Sequence, residues 1–82
     1  MAIAAKILVI EDDLHIRRLV RAAVERVGNR AVEAASAREG LTLVDIEKPD
    51  LVLLDLGLPD RDGLELIQLV RARAAVPILV IS

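Results

Sequence analysis

Leu51-Val52-Leu53-Leu54-Asp55-Leu56-Gly57-Leu58-Pro59-Asp60-Arg61-Asp62-Gly63 is the stretch whose reading decides how this chain folds. Its first four residues are aliphatic without alternation, the pattern of a strand covered on both faces. A carboxylate follows at once, and Gly57, Pro59 and further aspartates then make a turn-rich loop. From Asp62 a helical period begins, with Gly63, Leu66, Ile67, Val70 and Ala74 as its apolar stripe. Asp62 is the expected N-cap, and Glu65 lies near the positive end of the helix dipole. The segment reads as buried strand, acidic loop, helix.

The same alternation extends outward. Ile7-Leu8-Val9-Ile10 and Ile78-Leu79-Val80-Ile81 are two more unbroken aliphatic runs, the second preceded by Pro77, where a missing N–H does least harm to a strand. Ala31-Val32-Glu33-Ala34-Ala35 is a weaker strand whose glutamate suggests a sheet edge. Between the first two strands, Ile16, Leu19, Val20, Ala23, Val24 and Val27 form one apolar helical stripe, stopped by Gly28-Asn29 as a left-handed cap would stop it. Ser36-Ala37-Arg38-Glu39 reads as a capping box opening a helix that carries Leu41 and Val44 and ends ahead of Pro49. Four strands alternating with three helices give an α/β fold with a doubly wound parallel sheet, its crossovers right-handed.

Composition narrows the function classes. Eighty-two residues allow one small domain. The chain is 55% hydrophobic yet contains no aromatic residue, so it has nothing on which to stack bases. A net charge of −2 gives no basic footprint for nucleic acid or an anionic membrane. Without cysteine there is no disulfide framework, thiol nucleophile or cysteine zinc site. The start, Met1 to Lys6, is too short for a signal-peptide apolar region, and the longest apolar run, Ala74 to Ile81, is too short for a bilayer span. A soluble domain is expected, and the cytosol suits it.

Ligands of open parallel sheets bind beyond the carboxyl ends of the strands. Glu11-Asp12-Asp13, Asp55 and Ser82 occupy those ends. If the first and third strands are neighbours, about 4.8 Å apart, Glu11, Asp12 and Asp55 can reach one ion. Such a cluster repels itself without a cation, and hard oxygen ligands that leave room for water suit Mg2+. The bland alternative for Glu11-Asp12-Asp13 is an acidic turn capping the next helix. Asp55 tips the balance toward a metal and acyl-phosphate site, because it follows four buried aliphatics, an expensive place for an idle carboxylate.

Val9-Ile10-Glu11-Asp12-Asp13, Leu53-Leu54-Asp55-Leu56-Gly57-Leu58-Pro59, Asp62-Gly63 and Val76-Pro77-Ile78-Leu79-Val80-Ile81-Ser82 together resemble the receiver domain of bacterial response regulators, across essentially all of the chain. The loop wording is similar to that of regulators with a winged-helix DNA-binding output, the OmpR/PhoB and KdpE-like class. The resemblance implies a flavodoxin-like sheet of strand order 2-1-3-4 and a phosphoacceptor role in two-component signalling, with Asp55 receiving a phosphoryl group from a histidine kinase or a small donor. It implies Mg2+ ligation by Asp12 and Asp55, by Glu11 through water and by the Gly57 carbonyl. Ser82 would contact a phosphoryl oxygen and report phosphorylation. A transcriptional regulator is implied for the parent protein, and no turnover enzyme.

The resemblance also implies a fourth helix, a fifth strand ending in a lysine, an aromatic switch residue and a fifth helix, and residues 1–82 contain none of these. Lys6 stands at the wrong end of its strand to replace that lysine. The chain therefore reads as a partial receiver without an output domain, its phosphotransfer impaired. One helix cannot cover one face of four strands, so side chains of the third and fourth strands on that face should lie open, and the apolar edge of the fourth should drive self-association by edge pairing or exchange of elements. Two other readings compete: an inert self-associating fragment, and an aspartate-nucleophile phosphatase, disfavoured because Gly57 stands where its general acid belongs. His15 reads as a surface residue, and Arg17, Arg18, Arg21 and Arg26 as the solvated face of their helix. No dinucleotide fingerprint or P-loop is present.

Overall fold

Two of the three unbroken aliphatic runs become the central strands of a four-stranded parallel sheet in the computed structural model, which describes residues 4–81. The third, Ile78 to Ile81, lies at an edge with Leu79 and Val80 exposed. The elements run β1 (Lys6–Ile10), α1 (Leu14–Arg26), β2 (Arg30–Ala34), α2 (Ala37–Glu47), β3 (Leu51–Leu54), α3 (Gly63–Arg73) and β4 (Ile78–Val80). Strand order is β2-β1-β3-β4. This is the expected doubly wound order, with the glutamate-bearing β2 at an edge. Register matters most between β1 and β3, where Ile10 lies opposite Leu54. The residues that follow, Glu11 and Asp55, thus leave the sheet side by side.

Alternate side chains feed two cores. Leu8, Ile10, Val52 and Leu54 meet Leu41 and Val44 of α2 and Leu66 and Val70 of α3 in the larger cluster. Ile7, Val9 and Leu53 meet Val24 of α1 on the other face. The uneven division follows from width: a helix spans about 10–12 Å, roughly two strand spacings, and α1 rests on β1 and β2.

Two expectations need correction on that face. The α1 stripe is not a buried stripe. Val24 is buried, but Leu19 is 71% exposed and Ile16 and Val27 are exposed as well, because α1 has no neighbouring helix on its flank among the described residues. Nor do β3 and β4 both lie open. Leu53 of β3 is buried, flanked by β1 and β4 and overlain by the α1 cluster, whereas Leu79 of β4 is 57% exposed.

Helix ends follow the sequence signals with one exception. Asp13 Oδ1 accepts from Ile16 N at 3.0 Å and Ser36 Oγ accepts from Glu39 N at 3.1 Å. Gly28, at φ 91°, supplies the left-handed turn after α1. Asp62 sits at the N-cap position of α3 but its side chain makes no capping bond. Here the start is set sterically. A Cβ on Gly63 would lie 2.6 Å from Leu56 Cα, so only glycine lets α3 start against the loop that leads to it.

A Cβ on Gly40 would instead meet only side-chain atoms, at 2.5 Å from Ile10 Cδ1 and 2.9 Å from its Cγ1. We expect Gly63→Ala to destabilise the fold by about 2 kcal/mol, as an overpacked backbone contact does. Gly40→Ala should cost less, its clash offset by roughly 1 kcal/mol of helix propensity. Urea midpoints of the two variants check the order; equal midpoints would refute the backbone contact at Gly63.

Candidate functional site

Two strand ends and the loops that follow them build the site. Glu11 N donates to Ala34 O and Asp55 N donates to Ile10 O, each at 3.0 Å, so both backbones stay hydrogen-bonded to the sheet up to the residue that carries the carboxylate. Glu11, Asp12 and Asp55 each present a carboxylate oxygen, and these oxygens lie within 4.8 Å of one another. The three acidic residues expected at one ion site are brought together. Asp13 is not among them; it caps α1. Ser82 lies outside the described residues.

Burial within the cluster is graded. Glu11 is only 1% exposed, Asp55 8%, and Asp12 is exposed. Glu11 Oε2 accepts from Asp13 N at 3.2 Å, while Oε1 is fully buried with no partner. An unpaired buried carboxylate oxygen is costly, and a hard cation among the three carboxylates would satisfy it. Asp55 Oδ1 accepts from Gly57 N at 2.9 Å, which ties the loop glycine to the carboxylate two residues earlier. Burial pushes the Glu11 carboxyl up to about 7, the Asp13 amide opposes this, and Asp55 and Asp12 add to the rise.

Cations are supplied elsewhere. Lys6 Nζ pairs with Glu47 at 3.2 Å, at the opposite end of β1 from the cluster, as its position in the sequence implies. His15 is exposed. Arg17 and Arg21 are not merely solvated. Arg17 Nε donates to Glu33 Oε1 and Nη1 to the Glu11 carbonyl, both at 3.0 Å, and Arg21 also bonds Glu33. These arginines hold the Glu33 carboxyl below its usual range, Arg21 most of all. Arg17 therefore braces the β1–α1 turn against β2, a role that a charged helix face conceals; the one signal for it is the glutamate of β2, which needs a partner. Asp60 was also hidden in sequence: its carboxylate accepts from Ala37 N and Arg38 N, each at 3.0 Å, across from the start of α2. Those two amides hold its carboxyl below the usual range.

Comparison with known proteins identifies the family to which this parallel sheet and its converging carboxylates belong. The family model described as "Response regulator receiver domain" matches residues 7–82. The chain belongs to that family: it is a receiver domain of a two-component response regulator. It is 47% identical over 76 residues to the KDP operon transcriptional regulatory protein KdpE of Escherichia coli, covering 93% of this chain and 34% of that protein. To the transcriptional regulatory protein KdpE of Staphylococcus aureus it is 45% identical over 78 residues, covering 95% and 34%. The chain thus spans about a third of the length of the curated relatives it matches. Among solved structures, the chemotaxis response regulator CheY4 of Vibrio cholerae superimposes with a TM-score of 0.90 at 28% identity, over 95% of this chain and 68% of that one.

The raised Glu11 value has a consequence for stability in the absence of metal. Between the ordinary value of 4.5 and about 7 the folded chain holds a proton on Glu11 that the unfolded chain has lost. Stability should therefore fall as pH rises through that window and level off above it. We expect urea midpoints in EDTA to drop from pH 5 to pH 7, and Glu11→Gln to remove the drop. A drop of equal size in the variant would assign it to other groups.

Proposed function

We propose that this chain accepts a phosphoryl group on Asp55 with Mg2+ held by Glu11, Asp12, Asp55 and the Gly57 carbonyl, Glu11 acting through water. The observation that carries this reading is the partnerless Glu11 Oε1, buried beside Asp55 within a three-carboxylate cluster. Bound Mg2+ would offset negative charge as one anion approaches another. Asp55 supplies the nucleophile: a carboxylate oxygen bonds to phosphorus while the P–N bond of a sensor kinase phosphohistidine breaks. The bonding pair leaves with the imidazole nitrogen, which takes a proton from solvent. With acetyl phosphate the P–O bond breaks instead and acetate leaves. The Gly57 amide holds Asp55 Oδ1 and leaves Oδ2 as the attacking atom.

The protein is an acceptor that assists its own modification, and no turnover is expected of it. Ser82 is proposed to hydrogen-bond a phosphoryl oxygen. Lys6 opens β1 and Lys48 precedes β3, so both lysines of residues 1–82 stand at the end of the sheet remote from Asp55. The curated relatives are transcriptional regulators, which supports the same role for a parent protein whose DNA-binding output lies outside residues 1–82; no nucleic-acid or membrane contact is proposed for this segment. No helix among the described residues is long and apolar enough to cross a membrane, and a cytoplasmic setting is proposed.

A second copy of the chain is the proposed partner of β4. Pro77 O and Ile81 N bond to β3, so by alternation the backbone groups of Ile78 and Val80 face outward along an apolar edge. Light scattering should give a mass above one chain, and Leu79→Lys should lower it; a single-chain mass at high concentration would end this part of the proposal.

The central test is intact mass after incubation with acetyl phosphate. We expect a gain of one phosphoryl group that requires Mg2+ and is absent in Asp55→Asn. A folded sample with no gain, or an equal gain in Asp55→Asn, would overturn the reading.

A further inference from the structure

The loop that carries Asp55 to α3 is anchored on a helix more than twenty residues earlier in the chain. Asp60 Oδ1 accepts from Ala37 N and Oδ2 from Arg38 N, each at 3.0 Å, with sequence separations of 23 and 22. Ala37 and Arg38 follow the N-cap Ser36, and Ser36 Oγ takes the amide of Glu39. The first three amides of α2, which have no partner within a helix, are thus divided between a local serine and a distant aspartate. The negative charge of Asp60 also sits at the positive end of the α2 dipole.

Geometry gives this second cap a role beyond α2. Between Asp55, bonded to the Gly57 amide at 2.9 Å, and Asp60, bonded to α2, lie only Leu56, Gly57, Leu58 and Pro59. Leu58 is buried in the larger core, and Pro59 has a fixed φ. The segment is therefore held at both ends and in the middle. Its far anchor stands on firm ground: Ala37 is fully buried, and Gly40 lies so close to Ile10 that a Cβ would meet its side chain. Ile10 directly precedes Glu11. One helix start thus links the loop bearing Gly57 to the strand end bearing Glu11, and both Asp60 oxygens are spent on that link rather than on the carboxylate cluster.

We propose that Asp60 is a positioning residue that, by clamping the 55–60 loop to the start of α2, sets where the Gly57 peptide sits relative to Asp55 and Glu11. The inference deepens the phosphoacceptor reading, and its metal-binding arm rests on that reading. Ser36 is the control: it caps the same helix without touching the loop.

Amide hydrogen exchange without metal, and calorimetric Mg2+ titration, are to be measured on the full chain and on Asp60→Ala, Asp60→Asn and Ser36→Ala. Ser36→Ala should lower the thermal midpoint while leaving Gly57 exchange and Mg2+ affinity at the parent values. Asp60→Ala should speed Gly57 exchange on the order of tenfold, the scale of a lost cap. It should also weaken Mg2+ binding on the order of tenfold, the low end for losing a group that orients ligands. Asp60→Asn, which keeps one acceptor, should fall between. Gly57 exchange no faster in folded Asp60→Ala than in Ser36→Ala would overturn the proposal, and if Asp60→Ala does not fold, Asp60→Asn decides by the same comparison. A parent chain that binds no Mg2+ would sink the phosphoacceptor reading alone, since exchange at Gly57 still decides the role of Asp60.

Discussion

Two carboxylates leave a buried sheet side by side because β1 and β3 are hydrogen-bonded neighbours in one register, and the rest of the structure is organised around that adjacency. Parallel strands force it: both chains emerge at the same end of the sheet, and side chains one residue past the last pair share one crevice. The aliphatic residues before them, Val9, Ile10, Leu53 and Leu54, keep water out beneath. Glu11 therefore feels a dry neighbour on one side and acidic neighbours on the other, and its raised proton affinity follows from both.

Support for that crevice is uneven across the sheet. The face under α2 and α3 is closed by the larger cluster, and the same two helices flank the loop that follows Asp55. The opposite face has α1 alone, with β4 left at the margin. The site thus draws its rigidity from the well-covered face, where Leu58 and Asp60 fasten the loop, and from Arg17 at the β1–α1 turn. Of these anchors only Arg17 belongs to α1, the helix of the poorly covered face, and none lies on β4 at its margin.

How far the sequence discloses this depends on the range of each interaction. Unbroken runs such as Leu51 to Leu54 announce buried strands because burial on both faces leaves no room for alternation, and the carboxylates that follow them announce the crevice. Periodicity in α1 reports that an apolar side exists, but not what covers it; hence Leu19 reads as core and stands exposed. Arg17 and Asp60 were illegible for a related reason. A charged residue on a helix face or in a turn looks the same whether its partner is water or a backbone group tens of residues away. Asp62 shows the converse: the residue type suited a cap, yet the close approach of Gly63 to Leu56, not a side-chain bond, fixes where α3 begins.

Placement of positive charge leaves the acidic cluster without a side-chain counterion. Lys6 pairs with Glu47, Arg17 and Arg21 with Glu33, Arg61 with Glu65, and Arg73 with Asp45. Among the described residues no side-chain cation pairs with Glu11, Asp12 or Asp55. Arg17 reaches Glu11, yet its guanidinium bonds the backbone carbonyl of that residue. A chain with eleven lysines and arginines could neutralise three carboxylates, and an Arg at that distance would do so at little cost in geometry. Directed to the backbone, it braces the turn and leaves the three carboxyl groups without a side-chain cation. Under the proposed reading, this is charge that a divalent ion would offset before an anionic donor approaches Asp55.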